Sequence, residues 1–256
     1  MVVYEYMAYG KLAEVYDLMM RDVDYEGWVE YVLTIWKKLN FRPERVLDLG
    51  CGTGNAAIPL SKRGFKVIGV DLSKDMLKVA KKKSKGLGIK YLQADMSKLK
   101  LGSSFDAVVC LYDSLNYLLQ ESKVQSAFWG VYKILNPGGI FIFDVYTIKK
   151  LSQRWEKNKK CIDFGNLHVC CRDSFDKQML INTLYLDLFL KNQNGKYERF
   201  NEVHKERGYS LSDLRSWLEK VGFKFKGMYN ALTFDKPTKE SNRVYFVAQK
   251  SPTKSH

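Results

Sequence analysis

Histidine and cysteine are scarce in this chain of 256 residues, with three of the first and five of the second. The cysteines are Cys51, Cys110, Cys161, Cys170 and Cys171, an odd number with no Cys-x-x-Cys pair. That spacing suggests neither a disulfide framework nor a zinc site, so small buried or half-buried thiols are expected. Cys170 and Cys171 are adjacent in an alternating segment and should face opposite sides of a strand. Three histidines make a multi-histidine centre improbable, and no metal is expected. No apolar run approaches the ~18 residues of a membrane span. The opening Met1-Val2-Val3-Tyr4-Glu5-Tyr6 also lacks the charged and apolar regions of a secretion signal. The expectation is a cytoplasmic protein with no membrane partner; nothing in the composition speaks to oligomeric state. Internal repeats are absent.

Acids are the minority charge, 28 against 42 Lys and Arg, for a net charge of +14. Such an excess fits nucleic acid or another anionic partner. It is concentrated between Lys74 and Lys100, with nine lysines and two acids. Lys78, Lys81, Lys82 and Lys85, however, fall on the polar side of a helix whose apolar stripe is Met76, Leu77, Val79 and Ala80. A solvated helix face accounts for them.

What is present is a buried strand that breaks into a glycine turn, Val46-Leu47-Asp48-Leu49-Gly50-Cys51-Gly52-Thr53-Gly54-Asn55. Glycines at 50, 52 and 54 allow backbone conformations closed to other residues and a close approach to a ligand. Asp48 sits at the carboxyl end of the strand, the edge where open parallel sheets bind ligands. The spacing is Gly-x-Gly-x-Gly, which weakens a nicotinamide dinucleotide reading. A second strand, Phe65 to Asp71, ends in an acid able to accept both hydroxyls of a ribose. Two further strand ends also carry acids, at Ala94-Asp95-Met96 and Tyr112-Asp113-Ser114.

With Val70-Asp71-Leu72-Ser73, Met76 and Leu135-Asn136-Pro137-Gly138-Gly139, residues 44 to 147 resemble the class I S-adenosylmethionine-dependent methyltransferases. The segment from Tyr9 to Asp17, with Met19 to Tyr25 and Trp28, resembles the opening of a bacterial group within them, the YqeM-like group. The resemblance implies an α/β fold, a doubly wound seven-stranded mostly parallel sheet of the Rossmann-like methyltransferase type. It implies S-adenosyl-L-methionine as cofactor and S-adenosyl-L-homocysteine as product. Gly50, Cys51, Gly52, Gly54 and Asn55 would pass its methionine part, with Asp48 near the ammonium group. Asp71 would take the ribose hydroxyls. Leu72 and Met76 would flank the adenine, Asp95 would bond its amine with Met96 beside it, and Leu111 or Tyr112 would lie over the transfer cleft. Tyr9 and Tyr16 are candidate contacts from a helical lid, or aromatic residues packing a helix onto the sheet.

Leu12, Val15, Tyr16 and Met19, then Trp28, Val29, Val32, Leu33 and Trp36, recur at helix spacing within residues 1–40. Strands and helices then alternate as a parallel sheet demands. Pro137-Gly138-Gly139 stops a helix, and Ile140 to Val145 reads as the next buried strand. Past Thr147 short alternating segments predict an antiparallel cap of three or four strands, placed over residues 148–207. Ser210 caps a helix ended by Gly222, and Phe223 to Tyr229 with Arg243 to Gln249 complete the sheet antiparallel. The domain bounds are thus 1–147 with 208–250, the inserted cap, and a disordered tail over 251–256.

A methyl donor of this kind needs chiefly a nucleophile held in line, ~3 to 3.5 Å away and out of water. An amine needs only to be neutral, whereas an oxygen needs a proton acceptor. The catalytic candidates are His204, Tyr112 and Asp113, with Asn116, Tyr117, Asp144 and Tyr146 nearby. In Glu202-Val203-His204-Lys205-Glu206-Arg207 the strand period puts His204 between two carboxylates, which would raise its pKa. A surface strand with a ladder of charges is the alternative. Neither an Asn-Pro-Pro-Tyr run nor a Pro-Cys pair points to nucleobase methylation. The expected function is methyl transfer to an N or O nucleophile of a small molecule. An RNA methyltransferase and a non-catalytic cofactor-binding protein remain alternatives.

Overall fold

Strand-forming runs of valine, isoleucine, leucine and aromatic residues build the centre of the molecule. The computed structural model describes residues 10–154 and 160–252. Its first five strands are β1 (Arg45–Leu49), β2 (Lys66–Asp71), β3 (Lys90–Gln93), β4 (Phe105–Cys110) and β5 (Leu135–Tyr146). A second group follows, β6 (Lys160–Asp163), β7 (Leu167–Asp176), β8 (Ile181–Lys191) and β9 (Tyr197–Arg207), and the chain closes with β10 (Phe223–Asn230) and β11 (Arg243–Lys250). One seven-stranded sheet has the order β10-β11-β5-β4-β1-β2-β3, and β6 to β9 form a separate antiparallel sheet in sequential order. Only β11 runs against the others in the large sheet; β10, expected with it as antiparallel, pairs antiparallel to β11 and so shares the direction of β5.

Both faces of the large sheet are covered, which is why its strands read as continuous apolar runs. On one face α5 (Glu121–Ile134) and α7 (Leu211–Val221) bury Phe128, Val131, Leu214 and Leu218 against Phe141, Phe143 and Phe246. The other face is packed by α2 (Tyr25–Lys38), α3 (Ala57–Lys62) and α4 (Lys74–Lys83) through Val29, Val32, Leu60, Leu77 and Ala80. Truncating fully buried Phe128 to alanine would cost about 3–5 kcal/mol in lost transfer energy and cavity. Of the two helices expected over the cleft, α2 is therefore a layer of the core. Its N-terminus is capped by Asp24, which accepts the Gly27 N–H at 2.8 Å.

The helix α1 (Leu12–Met19) instead packs Leu12 and Val15 against Leu167, Val169, Leu186 and Leu188 of the small sheet. A short helix α6 (Ile148–Arg154) leads from β5 toward that sheet. The strand β5 already pairs at Leu135, and its register shifts across Pro137-Gly138-Gly139 before Ile140 meets Ala107. Gly138 has φ +80°, a conformation glycine adopts without the Cβ clash of other residues.

The cysteine expectation is corrected here. Cys161 on β6 lies directly opposite Cys170 on β7, and the two form a disulfide. The pairing depends on a strand register that spacing along the chain does not reveal. Cys171 is free, points to the other face as expected, and packs beside the α1 cluster. Among the described residues no helix is long and apolar enough to cross a membrane. Tyr9 and the tail beyond Pro252 lie outside the described residues.

Candidate active site

The glycine loop leaves β1 with Gly50 at φ +78°, Gly52 at +52° and Gly54 at +83°. The N–H groups of Gly50 and Cys51 donate to the Val70 carbonyl at 2.7 and 2.9 Å, which pins the loop to β2. A Cβ on Gly50 would stand 2.7 Å from that of Ser114, and one on Gly54 would stand 2.7 Å from the Tyr91 hydroxyl. A Cβ on Gly52 would meet nothing within 4 Å. Two of the glycines are thus demanded by their neighbours, while the middle one borders open space at the carboxyl edge of the sheet.

Two carboxylates frame that space. Asp71 accepts the Gly52 N–H at 2.8 Å with one oxygen and the Ser73 N–H at 2.8 Å with the other. Burial raises its pKa, opposed by those backbone donors. Asp48 is 1% exposed, and burial, then the charge of Asp71, pushes it up to about 7. Its Oδ2 has no hydrogen-bond partner. A buried carboxylate oxygen without a donor is costly, and a cationic group beside it would relieve that cost. The loop and this oxygen therefore fit an amino-acid-bearing cofactor.

Cys51 turns its thiol inward to within 2.9 Å of where a Gly69 side chain would begin, so it offers a ligand its backbone. Leu72 is 67% exposed beyond β2, whereas Met76 is buried in α4. Asp95 accepts from the backbone and hydroxyl of Ser97 at 2.8 and 2.7 Å. Met96 reaches to 3.4 Å from the Gly50 Cβ position. Leu111 is buried at the end of β4. From α1, Asp17 accepts the Thr53 hydroxyl at 2.6 Å and the Asn55 amide at 3.0 Å, and pairs with Lys83 at 2.6 Å. Tyr16 bonds the hydroxyl of Tyr25, which also meets Asn55.

After β4, Tyr112 and Asp113 both take left-handed φ, 60° and 55°. Their N–H groups donate to Asp144 at 2.6 and 3.0 Å. Arg243 bonds Asp144 and, at 2.5 Å, Asp113, with all three side chains buried. Asp113, expected to be available as a base, is thus a member of a buried ion triad. Burial raises the Tyr112 hydroxyl, so it stays protonated. Asn116 is fully buried and spends its amide on the backbone of Tyr146 and Arg207.

Glu202, His204 and Glu206 do share a face of β9, and that face is buried rather than solvated, so the surface-ladder alternative is corrected. So is the raised pKa of His204, because burial lowers it to about 4. Glu202 spends Oε1 on the Gly10 N–H at 3.0 Å and lies 3.8 Å from His204 Nε2 through its other oxygen. The desolvation of the imidazolium outweighs that neighbour. His204 Nδ1 lies 3.3 Å from the Tyr117 hydroxyl, which brings the small sheet onto the segment that follows β4.

Residues 46–139 match the family model described as a methyltransferase domain. A methyltransferase of Geobacillus sp. (strain WCH70) is 34% identical over 252 residues, spanning 95% of this chain and 100% of its own. A crystal structure of an S-adenosylmethionine-dependent methyltransferase from Clostridium acetobutylicum ATCC 824 is 29% identical and superposes with a TM-score of 0.84, covering 94% of this chain and 98% of that one. The sugar N-methyltransferase KedS8 of Streptoalloteichus sp. ATCC 53650 shares the fold at 22% identity and a TM-score of 0.76 over 98% and 99% of the two chains. The chain belongs to the S-adenosylmethionine-dependent methyltransferases, and S-adenosylmethionine is its cofactor. Within them it groups with YqeM of Bacillus subtilis (strain 168), to which it is 32% identical over 96% of this chain and 99% of that one.

Sequence reading missed Asp17 as a partner of the glycine loop and Arg243 altogether. A lone arginine opening the buried strand Val244 to Ala248 is the signal that could have marked it, since a buried cation requires anionic partners.

Proposed function

We propose that this protein transfers a methyl group to an N or O nucleophile of a small molecule, in the cleft between the carboxyl edge of the large sheet and the inner face of the small one. The observation that carries the reading is the closure of that edge by β9. Tyr117 meets His204, and Asn116 donates to the Arg207 carbonyl at 2.8 Å, so an acceptor must fit beneath the cap. The likeness in fold to a sugar N-methyltransferase covers 98% of this chain.

In this reading Asp48 faces the ammonium group and the backbone from Gly50 to Gly52 passes the methionine part, with Gly54 and Asn55 shaping the turn. Asp71 holds the ribose hydroxyls. Leu72 covers the adenine with Met76 behind it, and Asp95 and Met96 border its amine. Tyr16 closes the cofactor from α1. Leu111 and Tyr112 wall the reacting end. The cofactor supplies an electrophilic methyl group. His204, neutral at pH 7, holds the Tyr117 hydroxyl beneath the cap, and the aromatic walls exclude water. Asp113 serves by position rather than as a base.

The test is to incubate the protein with methyl-labelled cofactor and a cell extract, with and without ribonuclease. Label in a low-mass, nuclease-insensitive fraction supports the proposal and supplies the acceptor. Label in RNA, lost on nuclease treatment, overturns it in favour of an RNA substrate.

A further inference from the structure

Arg243 opens β11 directly opposite Tyr146 of β5. Its guanidinium is gripped on several sides. It bonds Asp144 and Asp113, and its carbon lies 3.8 Å from the Tyr146 ring centre, 4.8 Å from that of Trp28 and 4.9 Å from that of Tyr112. One side chain thereby joins α2, the segment after β4 and the end of β5.

The backbone pairing of the sheet is complete without this arrangement. The strand β11 is already paired along its length to β5 and β10, and buried ion pairs are weak sources of stability compared with apolar packing. What the triad does hold is a conformation the chain would otherwise leave. Tyr112 and Asp113 are consecutive non-glycine residues at left-handed φ, a strained pair that persists only where its surroundings enforce it. Asp144 accepts both of their N–H groups, and Arg243 bonds Asp144 and Asp113 together. The Tyr112 ring is then set against Trp28, with centres 5.1 Å apart.

We infer that Arg243 is a positioning residue for methyl transfer: by clamping Asp113 and Asp144 it holds Tyr112 as the wall against which the acceptor is aligned. This rests on the reading of Tyr112 as part of the transfer cleft. The side chain itself is buried against Asp113 and Asp144, and its effect travels through the loop.

Two measurements on Arg243→Lys decide it, with Asp113→Asn as a second variant should the first fail to fold. The first is a crystal structure. Tyr112 and Asp113 are expected to leave the left-handed pair and the Tyr112 ring to swing from Trp28; a loop unchanged from wild type overturns the inference. This readout needs no acceptor, so it stands even if the wild-type protein methylates nothing in the extract, a result that would count against the proposed function alone. The second uses the labelled acceptor. Turnover per bound cofactor should fall at least 30-fold while the dissociation constant of the cofactor changes less than threefold. A fall in turnover that merely tracks the loss of cofactor-binding sites would mean a structural role only, and would also overturn it.

Discussion

Asp17 of α1 accepts the hydroxyl of Thr53 at 2.6 Å, and with it the helix that supports the small sheet is tied to the cofactor loop. The same carboxylate takes the Asn55 amide and Lys83. At the other end of the helix, Glu202 of β9 accepts the Gly10 N–H. The helix α1 is therefore held between the loop that would carry the cofactor and the sheet that would cover the acceptor.

Removing the first tie should weaken cofactor binding without unfolding the protein. Asp17→Ala is expected to cost about 1 kcal/mol, roughly fivefold in the dissociation constant, because the lost bonds are half-exposed. Isothermal titration calorimetry checks it; wild-type affinity would mean that α1 has no part in cofactor binding.

Asp71→Ala should be harsher, about 2 kcal/mol or more, since it removes both the expected ribose acceptor and the brace on the Gly52 N–H. An affinity within twofold of wild type would contradict the assignment.

Asp48 predicts a pH dependence. Its pKa stands at about 7 in the folded protein against an ordinary 3.8, so the folded state holds the extra proton and stability falls as pH rises between those values. An ammonium group beside Asp48 would favour the carboxylate and expel that proton. Cofactor affinity should therefore rise from pH 6 toward 7.5, with proton release detectable by calorimetry in buffers of different ionisation enthalpy. In Asp48→Asn that release should vanish.

His204 acts with the opposite sign. Its pKa is about 4 when folded against 6.5 ordinarily, so the unfolded chain binds the proton first. The associated stability is complete above pH 6.5 and is lost as pH falls toward 4, by roughly 3 kcal/mol. Urea unfolding between pH 4 and 7 should show this acid limb flattened in His204→Gln. An unchanged slope would place the titration elsewhere.

The Cys161–Cys170 bridge predicts three reactive thiols in the denatured, unreduced protein and five after reduction. Because it closes a separation of nine residues, its loss should cost at most about 2.5 kcal/mol. The loosening should be greatest at the exposed strand β6, visible as faster amide exchange there.

The sequence alone determined the parts of this protein whose physics is local. The Gly50, Gly52 and Gly54 loop, the acid ending β2 and the helix stop at Gly222 follow from φ preferences and side-chain period, and all three glycines of the loop take the positive φ that their spacing requires. Tertiary structure decided what depends on residues far apart in the chain. Arg243 and Asp113 are separated by 130 positions, and no pattern near either one names the other. His204 illustrates the same limit. Its neighbours in sequence, Glu202 and Glu206, argued for a raised pKa, but burial of the whole face beneath the cap sets the sign, because desolvation of a charge outweighs a carboxylate already committed to the start of α1.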